Sequence, residues 1–155
     1  LWRLNLDWDD PVPAVVKKEW DRFFTELLLL ETIAFPRSMK PADAIGRPTL
    51  LTFVDGSEDA YGAVSYIRWQ LKNGGYASRL ALAKSRIAPM KQISIVRLEL
   101  NGAVVGKRLK SFIFEHTRYE FERVIFIGDS KVVHAMVKLE SHGFNTFVAL
   151  RIGEI

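Results

Sequence analysis

Three acids in this 155-residue chain stand where carboxylates can meet. Asp55 ends the apolar run from Leu50 to Val54, Glu99 falls in the first turn of a predicted helix, and Asp129 follows the apolar run Val124 to Ile127. Each has a bland reading. Asp55 before Gly56 is an ordinary turn aspartate, Glu99 suits the positive end of a helix dipole, and Asp129-Ser130 can cap a helix. Their joint placement says more, because ligands in open α/β sheets collect beyond strand carboxyl ends, and Asp55 and Asp129 come side by side if their strands are neighbours. Three carboxylates held close repel one another unless a cation intervenes. Oxygen donors with no cysteine and no histidine cluster favour Mg2+ or Mn2+. Two such ions support phosphodiester hydrolysis, with Asp55, Glu99 and Asp129 as ligands rather than general bases.

The elements that must position these acids are legible from periodicity. Leu50 to Val54 reads as a buried strand, Ala60 to Trp69 and Tyr76 to Ile87 as two more, and Lys72-Asn73-Gly74-Gly75 as the turn between the latter pair. Together they predict an antiparallel meander. A helix is expected over about 96–114, with Gly102, Ala103 and Gly106 on the stripe of Glu99, where missing side chains let the helix lie close to a sheet. A fourth strand, 124–127, precedes a helix capped by Ser130 and running to about Glu140, with Val132, Val133, Met136 and Val137 inward. A short helix is expected over 144–155.

Residues 1–48 have a different texture. Pro11 and Pro13 suit a helix start, and Val16, Trp20, Phe23, Phe24, Leu27 and Leu28 give a helix over about 13–30 one apolar face. Ile33 to Phe35 reads as a short extended piece, and Pro36, Pro41, Gly46 and Pro48 punctuate a loop. This predicts a connector with one amphipathic helix over 1–48 and an α/β domain over 49–155. The chain begins at Leu1 and reads as a segment of something longer.

With 48% hydrophobic residues the chain can bury one sizeable core. No apolar run approaches the roughly 20 residues of a membrane span. The absence of cysteine excludes disulfides and thiolate metal sites. His116, His134 and His142 show no zinc-ligand spacing, and Trp2, Trp8 and Trp20 read as packing residues. A net charge of +4 permits a polyanionic partner without requiring one. Lys84, Arg86, Lys91, Arg97, Lys107, Arg108 and Lys110 concentrate around the third strand and the long helix, as a solvated face or as phosphate contacts.

Phe53-Val54-Asp55-Gly56-Ser57, Arg97-Leu98-Glu99-Leu100 and Gly128-Asp129-Ser130 resemble, in order and spacing, the Asp, Glu and Asp motifs of ribonuclease H. Ala83 to Pro89 with Ser94 to Glu99, and Phe147-Val148-Ala149 with Arg151 to Ile155, resemble the Pol polyproteins of BEL/Pao retrotransposons, in a region that has also carried a Pao peptidase label. Leu6-Asp7-Trp8-Asp9-Asp10-Pro11 is similar to that family's connector after reverse transcriptase. The resemblance covers essentially the whole chain. It implies a ribonuclease H-like mixed sheet, an antiparallel meander plus a parallel strand, truncated before the last strand, where a fourth acid would lie downstream; Glu154 is not that acid. It also implies cleavage of the RNA strand of an RNA:DNA hybrid in reverse transcription, with two Mg2+ or Mn2+ ions at Asp55, Glu99 and Asp129. Lys84, Arg86, Lys91, Arg97, Lys107 and Arg108 would hold the hybrid. Reverse transcriptase and other domains of the polyprotein are the implied partners, in cytoplasmic virus-like particles or the nucleus, with no membrane.

Two other classes compete. A degenerate or non-catalytic scaffold would keep the fold and hold the hybrid without cutting it. An aspartic peptidase fits less well, since Asp55-Gly56-Ser57 reverses the Asp-Thr/Ser-Gly order of pepsin-like sites. A transposase or integrase core would place its glutamate last.

Overall fold

Alternation decides which way the sheet faces. In β1 (Ala44–Gly56), Leu50 and Thr52 are buried while Phe53 is exposed, and in β2 (Ala60–Leu71) the buried positions are Ala63, Ser65, Ile67 and Trp69. The antiparallel register pairs Leu50 with Ile67, Thr52 with Ser65 and Val54 with Ala63, so these residues share one face. On it the Thr52 and Ser65 hydroxyls, both fully buried, hydrogen-bond at 2.9 Å, which removes the cost of burying either alone. β3 (Tyr76–Ile87) continues the meander, and β4 (Arg123–Ile127) joins β1 in parallel, giving the order β3-β2-β1-β4.

This computed structural model describes residues 4–139 and 143–155. By contacts the chain divides into two units, Leu1–Arg37 and Ser38–Ile155. In the first, α1 (Ala14–Leu27) is followed by a 3-10 segment, Leu28–Thr32, rather than continuing as α-helix to residue 30. No residue of α1 is buried. Its apolar face is lined by edge-on ring contacts of Phe24 with Trp20 and Phe23. Ile33 is extended, as the reading of a short extended piece has it, and residues 33–35 pair with no strand.

In the second unit, β1 begins at Ala44, ahead of the expected start near residue 49. Gly46 and Pro48, read as loop signals, lie inside the strand because its register with β2 shifts between Ile45 and Thr49. Gly46 has a φ of +66°, and a proline at such an irregularity owes no ladder hydrogen bond. The hairpin at Asn73-Gly74 is as expected: Gly74 takes a φ of +84°, and the Gly75 N–H donates to Asn73 Oδ1 at 2.9 Å.

The long helix α2 (Ile95–His116) is buried on two sides. Val105 and Leu109 pack with Ala63, and Ile113 with Leu50, Ile67 and Trp69 on the sheet. Leu100 and Ala103 pack with Val133 of α3 (Lys131–Lys138) and with Val148 and Ile152 of α4 (Thr146–Glu154). Each fully buried aliphatic side chain here contributes on the order of 1.5–3 kcal/mol. α3 turns only Val133 and Met136 inward; Val132 and Val137 are exposed, because a helix this short meets its neighbour along one narrow face. Glu140, the expected end of that helix, lies outside the described residues, as do Trp2 and His142. No helix among the described residues is long and apolar enough to cross a membrane.

Candidate functional site

The parallel pairing of β1 with β4 sets the two aspartates. Phe53 pairs with Ile127, so two residues further on Asp55, in the last rungs of the ladder of β1, stands abreast of Asp129, just past the end of β4. Both line one open cleft of about 580 Å³, whose walls include Ser57, Tyr61, Gly62 and Gly128. Asp55 is anchored locally, its Oδ1 accepting the Gly56 N–H at 2.7 Å.

Glycines bring α2 up to this strand end. A Cβ on Gly56 would lie 2.5 Å from the Glu99 backbone nitrogen, and one on Gly102 would lie 2.6 Å from the Asp55 carbonyl oxygen. Neither position tolerates a side chain without a backbone shift. Gly106 approaches Val54 and Thr52 in the same way, so the small-residue stripe read from the sequence is the seam between α2 and β1.

Glu99 reaches the far side of the site through α3. Its Oε2 accepts the Ser130 hydroxyl at 2.6 Å, and the same Ser130 Oγ accepts the Val133 N–H at 3.2 Å as the N-cap of α3. Ser130 thus ties Glu99 to the residue after Asp129. Glu99 does not line the cleft that Asp55 and Asp129 share. Among the described residues no three Asp, Glu, His or Cys side chains converge as a metal-holding group. Strand alternation supplies a reason: Asp55 belongs with Leu51 and Phe53 on the face away from α2, whereas Glu99 arises from α2. The donor set of three carboxylates still fits hard divalent cations, and two of the three face one cleft.

The basic residues divide by partner. Lys84, Arg86 and Lys91 are exposed along β3 and the loop after it. Arg97 lies over the Phe147 ring at 4.8 Å, and Lys107 is half-buried on α2. Arg108 is engaged by Glu154 through two hydrogen bonds, Nε to Oε1 at 2.6 Å and Nη2 to Oε2 at 2.9 Å. The hydrogen bond from Arg108 holds the Glu154 carboxyl below its ordinary range; partial burial opposes this, and the charges of Arg108, Lys107 and Arg151 assist.

Sequence reasoning missed Arg151 and Tyr61. Arg151 lies 3.5 Å over the Phe147 ring, donates to the Phe147 carbonyl at 3.0 Å and hydrogen-bonds Asn101 Oδ1. The i to i+4 spacing of Phe147 and Arg151 on a predicted helix carried that signal. Tyr61 in the cleft wall had none.

A protein-family model described as "Pao retrotransposon-like RNaseH-like domain" matches residues 1–130, a stretch that contains all three acids. Among solved structures, the chain is similar to RNase H1 from the halophilic archaeon Halobacterium salinarum NRC-1. The two share 11% identity over 70% of this chain and 74% of that one, with a TM-score of 0.39. No curated protein matches.

Proposed function

Because the chain belongs to the family of Pao retrotransposon-like RNaseH-like domains, we propose that it is the hybrid-cleaving domain of a retroelement polyprotein, cutting the RNA strand of an RNA:DNA duplex. The observation that carries this reading is the side-by-side placement of Asp55 and Asp129 at the carboxyl ends of adjacent parallel strands, with Glu99 hydrogen-bonded to Ser130. The unit Leu1–Arg37 serves in this reading as the connector to the preceding reverse transcriptase.

Asp55, Glu99 and Asp129 would hold two Mg2+ or Mn2+ ions, which when bound supply an acidified water and charge stabilisation at the departing oxygen. Ser130 orients Glu99 by donating to its Oε2. Lys84, Arg86, Lys91, Arg97, Lys107 and Arg108 contribute phosphate contacts, which position a duplex without reading its sequence. Contacts to 2′-hydroxyls distinguish the RNA strand from DNA.

A second reading, a scaffold that holds the hybrid without cutting it, is favoured by one observation. No three acids among the described residues converge on a point. Incubation with a labelled RNA:DNA hybrid and Mg2+ separates the two. The nuclease reading expects metal-dependent RNA-strand cleavage, lost by at least about 100-fold in Asp55→Asn, as for other groups that stabilise a transition state directly. Hybrid binding without cleavage, both in this chain and in one extended downstream, supports the scaffold instead.

A further inference from the structure

A second pocket, of about 340 Å³, opens where β2 and β3 meet α2 and α4, and its lining is of the opposite sign to the acid cleft. Tyr61, Arg86, Asn101, Arg108, Arg151 and Glu154 contribute to its walls. We propose that this pocket binds a phosphodiester group of the nucleic-acid backbone and that Glu154 is its built-in competitor, a carboxylate seated where the phosphate would go. The proposal rests on the hybrid-binding reading above, and a third of the pocket's lining comes from α4, beyond the residues 1–130 that the family model matches.

The geometry is that of an anion site. Arg108 offers Nε and Nη2 together to both oxygens of Glu154, the two-pronged arrangement in which a guanidinium also receives a phosphate. Arg151 is fixed by Asn101, the Phe147 carbonyl and the Phe147 ring, so its charge is held in place rather than searching solvent. Arg86 lines the pocket, and its side chain makes no hydrogen bond or ion pair among the described residues. Three guanidinium groups thus line the pocket with one carboxylate, which is bonded to Arg108 and feels the charges of Lys107 and Arg151.

Two features tie the pocket to function. Tyr61 lines both this pocket and the acid cleft, so the two openings adjoin at the start of β2. Glu154 lies in the last turn of α4, where the helix dipole disfavours a negative charge. Only the neighbouring cations hold it, and a phosphodiester, which carries one negative charge as the carboxylate does, competes for the same cations. Binding there would exchange the Glu154–Arg108 pair for phosphate contacts with Arg86 and Arg108.

The test measures affinity of the full chain for a labelled RNA:DNA hybrid by fluorescence anisotropy in EDTA across a salt series, together with the arginine side-chain NMR signals during titration with inorganic pyrophosphate. Glu154→Gln is expected to tighten hybrid binding on the order of three- to tenfold, since it removes the competing charge while keeping a hydrogen-bonding amide. Arg86→Ala, which breaks no internal bond, is expected to weaken it and to lower the slope of log affinity against log salt by about one. Pyrophosphate should shift the Arg86 and Arg108 signals. A hybrid that is bound but indifferent to both substitutions overturns the pocket and leaves the nuclease reading intact. No hybrid binding, with pyrophosphate still shifting those signals, sinks the hybrid reading and retains an anion site for free phosphate. No response to either probe overturns the pocket, and so does a loss of affinity in Glu154→Gln, which would make the ion pair structural only.

Discussion

Ser130 shows how one hydroxyl can serve a helix and a site together. It caps α3 by accepting from Val133 and donates to Glu99, so Ser130→Ala removes a cap and leaves a half-buried carboxylate without its partner. The expected cost is about 1 kcal/mol, read by urea denaturation, with a fall in any metal-dependent cleavage. Unchanged stability would mean that the cap carries no weight. The cap itself was legible, since Asp129-Ser130 precedes an apolar helical pattern. Its second bond was not, because Glu99 lies 31 residues earlier and meets Ser130 only once α2 and α3 have packed. Arg108 was hidden in the same way: its charge suggested phosphate contact, whereas its present partner, Glu154, is 46 residues away on another helix.

Elements bring these residues together through a seam of glycines. Gly102→Ala would drive a Cβ to 2.6 Å from the Asp55 carbonyl oxygen and push α2 off the end of β1. Destabilisation of about 1–3 kcal/mol is expected, as for other overpacked contacts, and chemical denaturation reads it directly. A neutral result would show that the close approach is not needed. The docking of α4 adds a pH dependence with a definite sign. The Glu154 carboxyl is held below its ordinary value by the Arg108 hydrogen bond, so its contribution is fully present above the usual glutamate range and is lost as pH falls through the depressed folded value. Acid titration of α4 amide signals should show the helix loosening below the ordinary glutamate range, and Glu154→Gln should abolish that step. Periodicity revealed most of these elements, including the Asn73-Gly74 hairpin and the seam at Gly102 and Gly106. The early part of β1 escaped, because Gly46 and Pro48 signal a loop locally and only a register shift against β2 admits them to a strand. Val132 and Val137 were misassigned inward because an apolar run on a short helix does not reveal how wide its buried face is.

At the scale of the molecule, the Ser38–Ile155 unit is a one-sided sheet with α2 across one face and its two abreast aspartates at the strand ends. Ile125 and Ile127 of β4 and Phe53 of β1 lie exposed on the sheet face away from α2, on the side of Asp55. Tyr61 stands in the walls of both the acid cleft and the basic pocket. The order of acids along the chain was legible, because each falls where a strand or helix turn places it. Their spacing was not, since it depends on how far Glu99 can swing from Ser130 toward the cleft. Mn2+ titration of the full chain, followed by paramagnetic broadening of backbone amide signals, tests the central claim most directly. Selective broadening at Asp55, Glu99 and Asp129 and their neighbours, weakened in Asp129→Asn, is expected. Broadening confined to other acids, or none at millimolar Mn2+, would contradict it.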